Sequence, residues 1–148
     1  METVMWPKAI ASKMVGESRI VFRGEGYPYA ILAREANLEL PGFLGCFPDG
    51  DKQYFFLSED IPEEFREFQL VHEILEFTEL GRDVPGSCLK ALMHELALVP
   101  EHMLKNYLPY RRDFFRVLVR YNASQPESVF KNNISESLFY LEEATRIR

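Results

Sequence analysis

Residues 65–80 (FREFQLVHEILEFTEL) constrain this chain more than any other stretch. Ile61-Pro62 precedes them with acidic residues in the first turn, and Gly81 follows them, so the stretch reads as one helix. At 100° per residue, Leu70, Ile74 and Phe77 fall on one side and Phe68, Val71, Leu75 and Thr78 on another. A helix apolar on most sides is a buried helix. His72, Glu76 and Glu79 nevertheless share one narrow stripe, with Gln69 beside it and Glu73 at its edge. Ionisable groups inside a protein are costly unless paired, hydrogen-bonded or metal-bound. That stripe needs a chemical explanation.

The rest of the chain sets the frame. Its 148 residues are read as one domain, 1–148, long enough to bury a core. The net charge of -6 argues against direct nucleic-acid binding, which rests on clustered Lys and Arg. Cys46 and Cys88 are too few for a disulfide framework, lack metal-site spacing, and read as small buried hydrophobes in a reducing compartment. The first residues lack a basic segment followed by an apolar run, and no stretch approaches bilayer length. A cytoplasmic protein without membrane contact is the expectation.

Ahead of the central helix, the pattern predicts a short helix over 7–14 and strands over 19–23, 29–33, 43–47 and 53–57. Residues 24–28 read as a loop, and Pro48-Asp49-Gly50-Asp51 as a hairpin turn. Beyond the central helix, Ser87 is placed to cap a helix over 88–99. Pro100 and Pro109 each divide the helices that follow, and Ser124-Gln125-Pro126-Glu127 matches a capping box. Ser135 is expected to cap the last helix. Arg112, Arg116 and Arg120, spaced by four, read as a solvated basic edge. The sum is an α+β domain: a small antiparallel sheet of three to four strands, a buried helix, and a helical C-terminal part.

Two His-Glu dipeptides, His72-Glu73 and His94-Glu95, lie on the two apolar helices. His72 and Glu76 are four apart and project from one helix face, a spacing at which imidazole and carboxylate can share a metal ion. A third ligand is expected from the second helix, where His94 and Glu95 are the candidates besides Cys88. Glu73 stands where the general base of a His-Glu-x-x-His hydrolase would stand. The competing reading is a set of helix residues satisfied by hydrogen bonds or arginines, with no metal. No Ser/His/Asp or Cys/His set is visible, and Cys88 is read as buried in apolar company, the wrong environment for a thiolate.

The run from Leu40-Pro41-Gly42 through 53–58 and 65–80 resembles the zincin-type metallopeptidase domain of the ImmA/IrrE kind. Phe68-Gln69-Leu70-Val71-His72-Glu73-Ile74-Leu75-Glu76 stands at its Phe-x-x-x-His-Glu-x-x-His motif, and Ala97-Leu98-Val99-Pro100 at its Leu-Leu-Met-Pro-like tetrad. The likeness spans roughly 38–105. Glu76 stands where the second zinc His belongs, and the family's third ligand, a Glu, falls at Ser87. What the resemblance implies is a zincin-like scaffold with a degenerate or rebuilt site, and Zn2+ as its metal. Two functions follow. One is a non-catalytic domain that binds a protein partner, peptide or small ligand. The other is a metal-dependent hydrolase with a variant His-Glu-x-x-Glu site.

Overall fold

The computed structural model of the chain describes residues 3–147; Met1 and Glu2, on which the reading of the first residues also drew, lie outside them. Backbone contacts divide the chain into two compact units, Met1–Leu70 and Val71–Arg148. The fold is α+β, with strands in the first unit and most of the helix in the second. Among the described residues no helix is long and apolar enough to cross a membrane.

The first unit holds a short helix α1 (Lys8–Ala11) and four strands: β1 (Met14–Phe22), β2 (Glu25–Leu32), β3 (Leu44–Asp49) and β4 (Lys52–Ser58). Helix α1 ends sooner than the sequence suggests because Met14 already pairs with Leu32. The expected loop at 24–28 is largely strand. Arg23 and Gly24, at φ 53° and 79°, make a two-residue turn, the left-handed pair that such tight hairpins need. The second hairpin turns at Gly50, φ 66°, as its sequence predicts.

The sheet is mixed rather than antiparallel, in the order β1-β2-β4-β3. After β2 the chain passes through the short 3-10 turn Arg34–Asn37 to the far edge, lays down β3, and returns as β4. That path sets β4 beside β2 running the same way, in register from Tyr29 opposite Phe55 to Leu32 opposite Ser58. Pro28, which has no N–H to donate, lies just outside this parallel strip. One sheet face packs Ala30 and Leu32 with Ile10 and Phe43. Tyr29, Phe55 and Leu57, one residue out of step with Ala30 and Leu32 along their strands, are buried as well.

The division between units falls within helix α2 (Arg66–Leu75), which continues as a π-turn, Glu76–Leu80, and stops at Gly81, φ 84°. The second unit then has α3 (Ser87–Leu98), α4 (Glu101–Tyr121) and α5 (Val129–Arg146). Ser87 does not cap α3. Gly86 holds that position in a left-handed conformation, and the cap comes from α5: Gly86 N donates to Asn133 Oδ1 at 2.9 Å. The side chain of Asn133 also donates to the Val84 carbonyl at 3.1 Å and to Ser87 Oγ at 3.3 Å. Neither the Ser124 capping box nor Ser135 starts the last helix. Ser128 does, its hydroxyl accepting from Lys131 N at 3.1 Å.

Pro109 does not divide α4, which runs through it for 21 residues. An interior proline removes one helical hydrogen bond and crowds the preceding turn, at roughly 3 kcal/mol. Here Tyr107 and Arg111, two positions to either side, are both fixed to the same buried carboxylate. Replacing Pro109 with Ala, which leaves those anchors in place, is expected to stabilise the protein by about 1–2 kcal/mol. Thermal unfolding followed by circular dichroism checks this; an unchanged or lower Tm would show that the proline bend is required.

Candidate metal centre

Within the second unit, His72 and Glu76 stand beside α3, whose Glu95 is bonded to α4 and whose Cys88 is bonded to α5. His72 is nearly sealed from solvent, 3% exposed, and each ring nitrogen has a carboxylate at 2.9 Å: Nδ1 faces Glu95 Oε1, and Nε2 faces Glu76 Oε1. Glu95, fully buried on α3, is the hub. Arg111 of α4 donates to it twice, from Nε at 2.7 Å and from Nη2 at 3.0 Å, and the Tyr107 hydroxyl donates to Oε2. The Arg111 guanidinium stacks over Phe114 and Phe115, about 5 Å from each ring centre. A planar fork on a carboxylate with aromatic rings on its faces is the geometry in which arginine tolerates burial best.

Charge explains the arrangement. With His72 protonated, two cations (His72, Arg111) face two carboxylates (Glu76, Glu95), and the buried set is neutral. Burial by itself pulls the imidazole down, but bonds to Cys88, Glu76 and Glu95, with the Glu95 charge, hold it well above its ordinary value. For Glu95, burial pushes the carboxyl up; Arg111 and His72 overcome this and keep it below the usual range. Burial and the Glu95 charge push the Tyr107 phenol upward, so it remains a donor.

Cys88 completes the group. It is the second residue of α3, and its Sγ lies 3.7 Å from His72 Nε2 while accepting a hydrogen bond from Ser137 Oγ of α5 at 3.2 Å. The expectation of purely apolar company for this thiol is therefore corrected. Its neighbours come from helices distant in sequence. Single donor atoms of His72, Glu76 and Cys88 all lie within 4.8 Å of one another, so these three residues could hold a metal ion. Ligands of a tetrahedral ion bound at about 2.0–2.3 Å stand roughly 3.3–3.8 Å apart, so only small side-chain shifts are required.

The expected site residues separate by position. His72 and Glu76 come together as the i, i+4 spacing implies. Glu95 is beside them, but Arg111, Tyr107 and His72 occupy its two oxygens, so it orients the imidazole from behind rather than standing among the candidate ligands. A metal-ligating histidine characteristically makes such a bond from its other nitrogen. His94 is exposed, one step around α3 from Glu95, and takes no part in the group. Glu73 is partly buried beside it. Burial and the Glu76 carboxylate, opposed by His72, Arg82 and Arg111, hold the Glu73 carboxyl at about 7. Cys88 is the residue that the sequence reading passed over in favour of His94 and Glu95, as a thiol in apolar company; the signals for it were its place on the second helix and next to Ser87, where the family pattern puts a third ligand.

Comparison of the chain with family models, with curated proteins and with solved structures finds no match.

Two outcomes follow from this geometry. Glu95→Gln leaves Arg111 and His72 without their shared counter-charge in a dry site, and should destabilise the fold by about 3–5 kcal/mol, measured by urea denaturation. A loss under 1 kcal/mol would mean that water reaches the cluster. Glu73 gives a pH signature. Between its unfolded value near 4.5 and about 7 the folded chain holds a proton that the unfolded chain has released, so this group lowers stability as pH rises through that window. Glu73→Gln should therefore raise Tm at pH 8, by the equivalent of about 1–2 kcal/mol given its partial exposure, and change it little at pH 4.

Proposed function

We propose that the chain is a divergent zincin-like domain that binds one Zn2+ ion through His72 Nε2, the Glu76 carboxylate and the Cys88 thiolate, and that it works by binding a protein partner or peptide. The observation that carries this reading is the convergence of three different donor types on one buried point, with Glu95 fixing the imidazole from its far side. A nitrogen, an oxygen and a sulfur donor together suit Zn2+, whereas Mg2+ and Ca2+ take oxygen ligands alone. A reducing compartment such as the cytoplasm would keep Cys88 available as a thiol.

The sequence likeness to ImmA/IrrE-type domains supports the reading at His72 and Glu73, and the site departs from it in using Glu76 and Cys88. The near-complete burial of all three ligands favours a site that organises helices over one that admits a substrate. A second reading, hydrolysis, rests on Glu73. A carboxyl held near 7 suits a general base at neutral pH. Zinc, when bound, would supply Lewis acidity and a lowered water pKa. In that case Glu73 accepts the proton, and Glu95 keeps the His72 imidazole oriented.

Metal content and Zn2+ titration of protein prepared without chelator test the proposal. One ion per chain is expected, with a Tm increase on adding zinc. Co2+ in its place should show a thiolate charge-transfer band that disappears in Cys88→Ser. His72→Ala should remove binding, and His94→Ala should leave it intact. Binding must displace the His72 Nε2 proton and the Cys88 thiol proton, so affinity should rise with pH, releasing up to two protons per ion in calorimetry. Folded protein that takes up no zinc, or binding indifferent to Cys88→Ser, would overturn the assignment. Peptide cleavage lost in Glu73→Gln with zinc retained would establish the second reading in place of the first.

A further inference from the structure

Strand β1 is outermost in the sheet, and its sequence is complementary to itself. We propose that the chain forms a homodimer in which β1 pairs antiparallel with β1 of a second copy, about a two-fold axis at Ser18. This inference is independent of the metal site.

With the axis at Ser18, Glu17 of each copy stands directly opposite Arg19 of the other, giving two opposite-charge cross-strand pairs. Gly16 then stands opposite Ile20. Glu17 and Arg19 share one face of the strand, so the two charge pairs line up on the same side of the joined sheet. Val21, 71% exposed, is a large apolar side chain in water near the end of the same strand.

The neighbours fit. The Glu17 carboxylate accepts from the Trp6 indole at 3.1 Å through Oε2, which leaves Oε1 for the partner. The Arg19 guanidinium lies across Gly26 on the same sheet face, and the pairing requires it to turn towards the free edge of β1. An irregularity between Met14 and Gly16 ends the regular ladder there, so the ordered ribbon begins at Gly16. Axes at Glu17 or Arg19 would set like charges opposite one another, which disfavours the neighbouring registers. Charges on an exposed edge ordinarily repel strands that do not match them. Here they admit one partner, the same strand reversed.

A single ribbon buries less than the roughly 1,600 Å2 of a standard interface, so the dimer is weak, with a dissociation constant in the micromolar range or above. Sedimentation equilibrium from about 10 to 500 µM, in reductant so that Cys46 cannot crosslink copies, should show reversible dimerisation. Arg19→Glu and Glu17→Arg should each weaken it at least about tenfold, and the double exchange E17R/R19E should restore it to within about threefold. Circular dichroism and Tm confirm that each variant is folded. A monomer at every concentration would overturn the proposal. So would a dimer indifferent to the single exchanges, or a double exchange that fails to recover association.

Discussion

The second unit is assembled around one buried carboxylate. Glu95 holds Arg111, Tyr107 and His72 at once, and through them ties α2, α3 and α4 together. Removing such a charge from water is expensive, and the attraction of one cation rarely offsets it. Here the cost is spread over a two-pronged guanidinium, a phenol and an imidazole, so that no lone pair is left idle. Everything else about the site follows from that arrangement. The imidazole can point Nε2 towards Glu76 and Cys88 because Nδ1 is already committed.

The same hub accounts for a helix that local rules would break. Pro109 interrupts the hydrogen-bond ladder of α4, yet Tyr107 and Arg111 flank it and both are fastened to Glu95. Local preference favours two short helices, and tertiary anchoring wins. Asn133 illustrates the principle on a smaller scale. It supplies from α5 the cap that the sequence at the start of α3 assigns to Ser87.

The fold class was legible because it rests on local patterning: the apolar helix over 65–80, the Pro48-Asp49-Gly50-Asp51 turn, and the helical remainder. Of the site, His72 with Glu76 was legible because a four-residue spacing on a helix has only one geometric meaning. Long-range choices were not. Which residue of α3 would face His72 depends on the rotation of that helix, and a 100° step separates exposed His94 from buried Glu95. The same step decides between Ser87 and Cys88. The parallel pairing of β2 with β4 was hidden for a like reason, since strand alternation is the same in parallel and antiparallel neighbours. Arg111 lay unremarked beside Arg112, its burial set by a carboxylate on another helix.

The mixed sheet also implies an order of assembly. Each hairpin closes over a two-residue turn, a local event of microseconds. The strip that joins them, Tyr29 to Leu32 against Phe55 to Ser58, must bring together segments separated by the whole of β3 and the turn before it. Loop-closure entropy opposes that step, and the parallel strip and the ion pair of Arg34 with Asp60 beyond its end reward it only once the two segments meet. The sheet is thus two fast elements waiting on one slow seam, and the first unit has no continuous core until the seam closes.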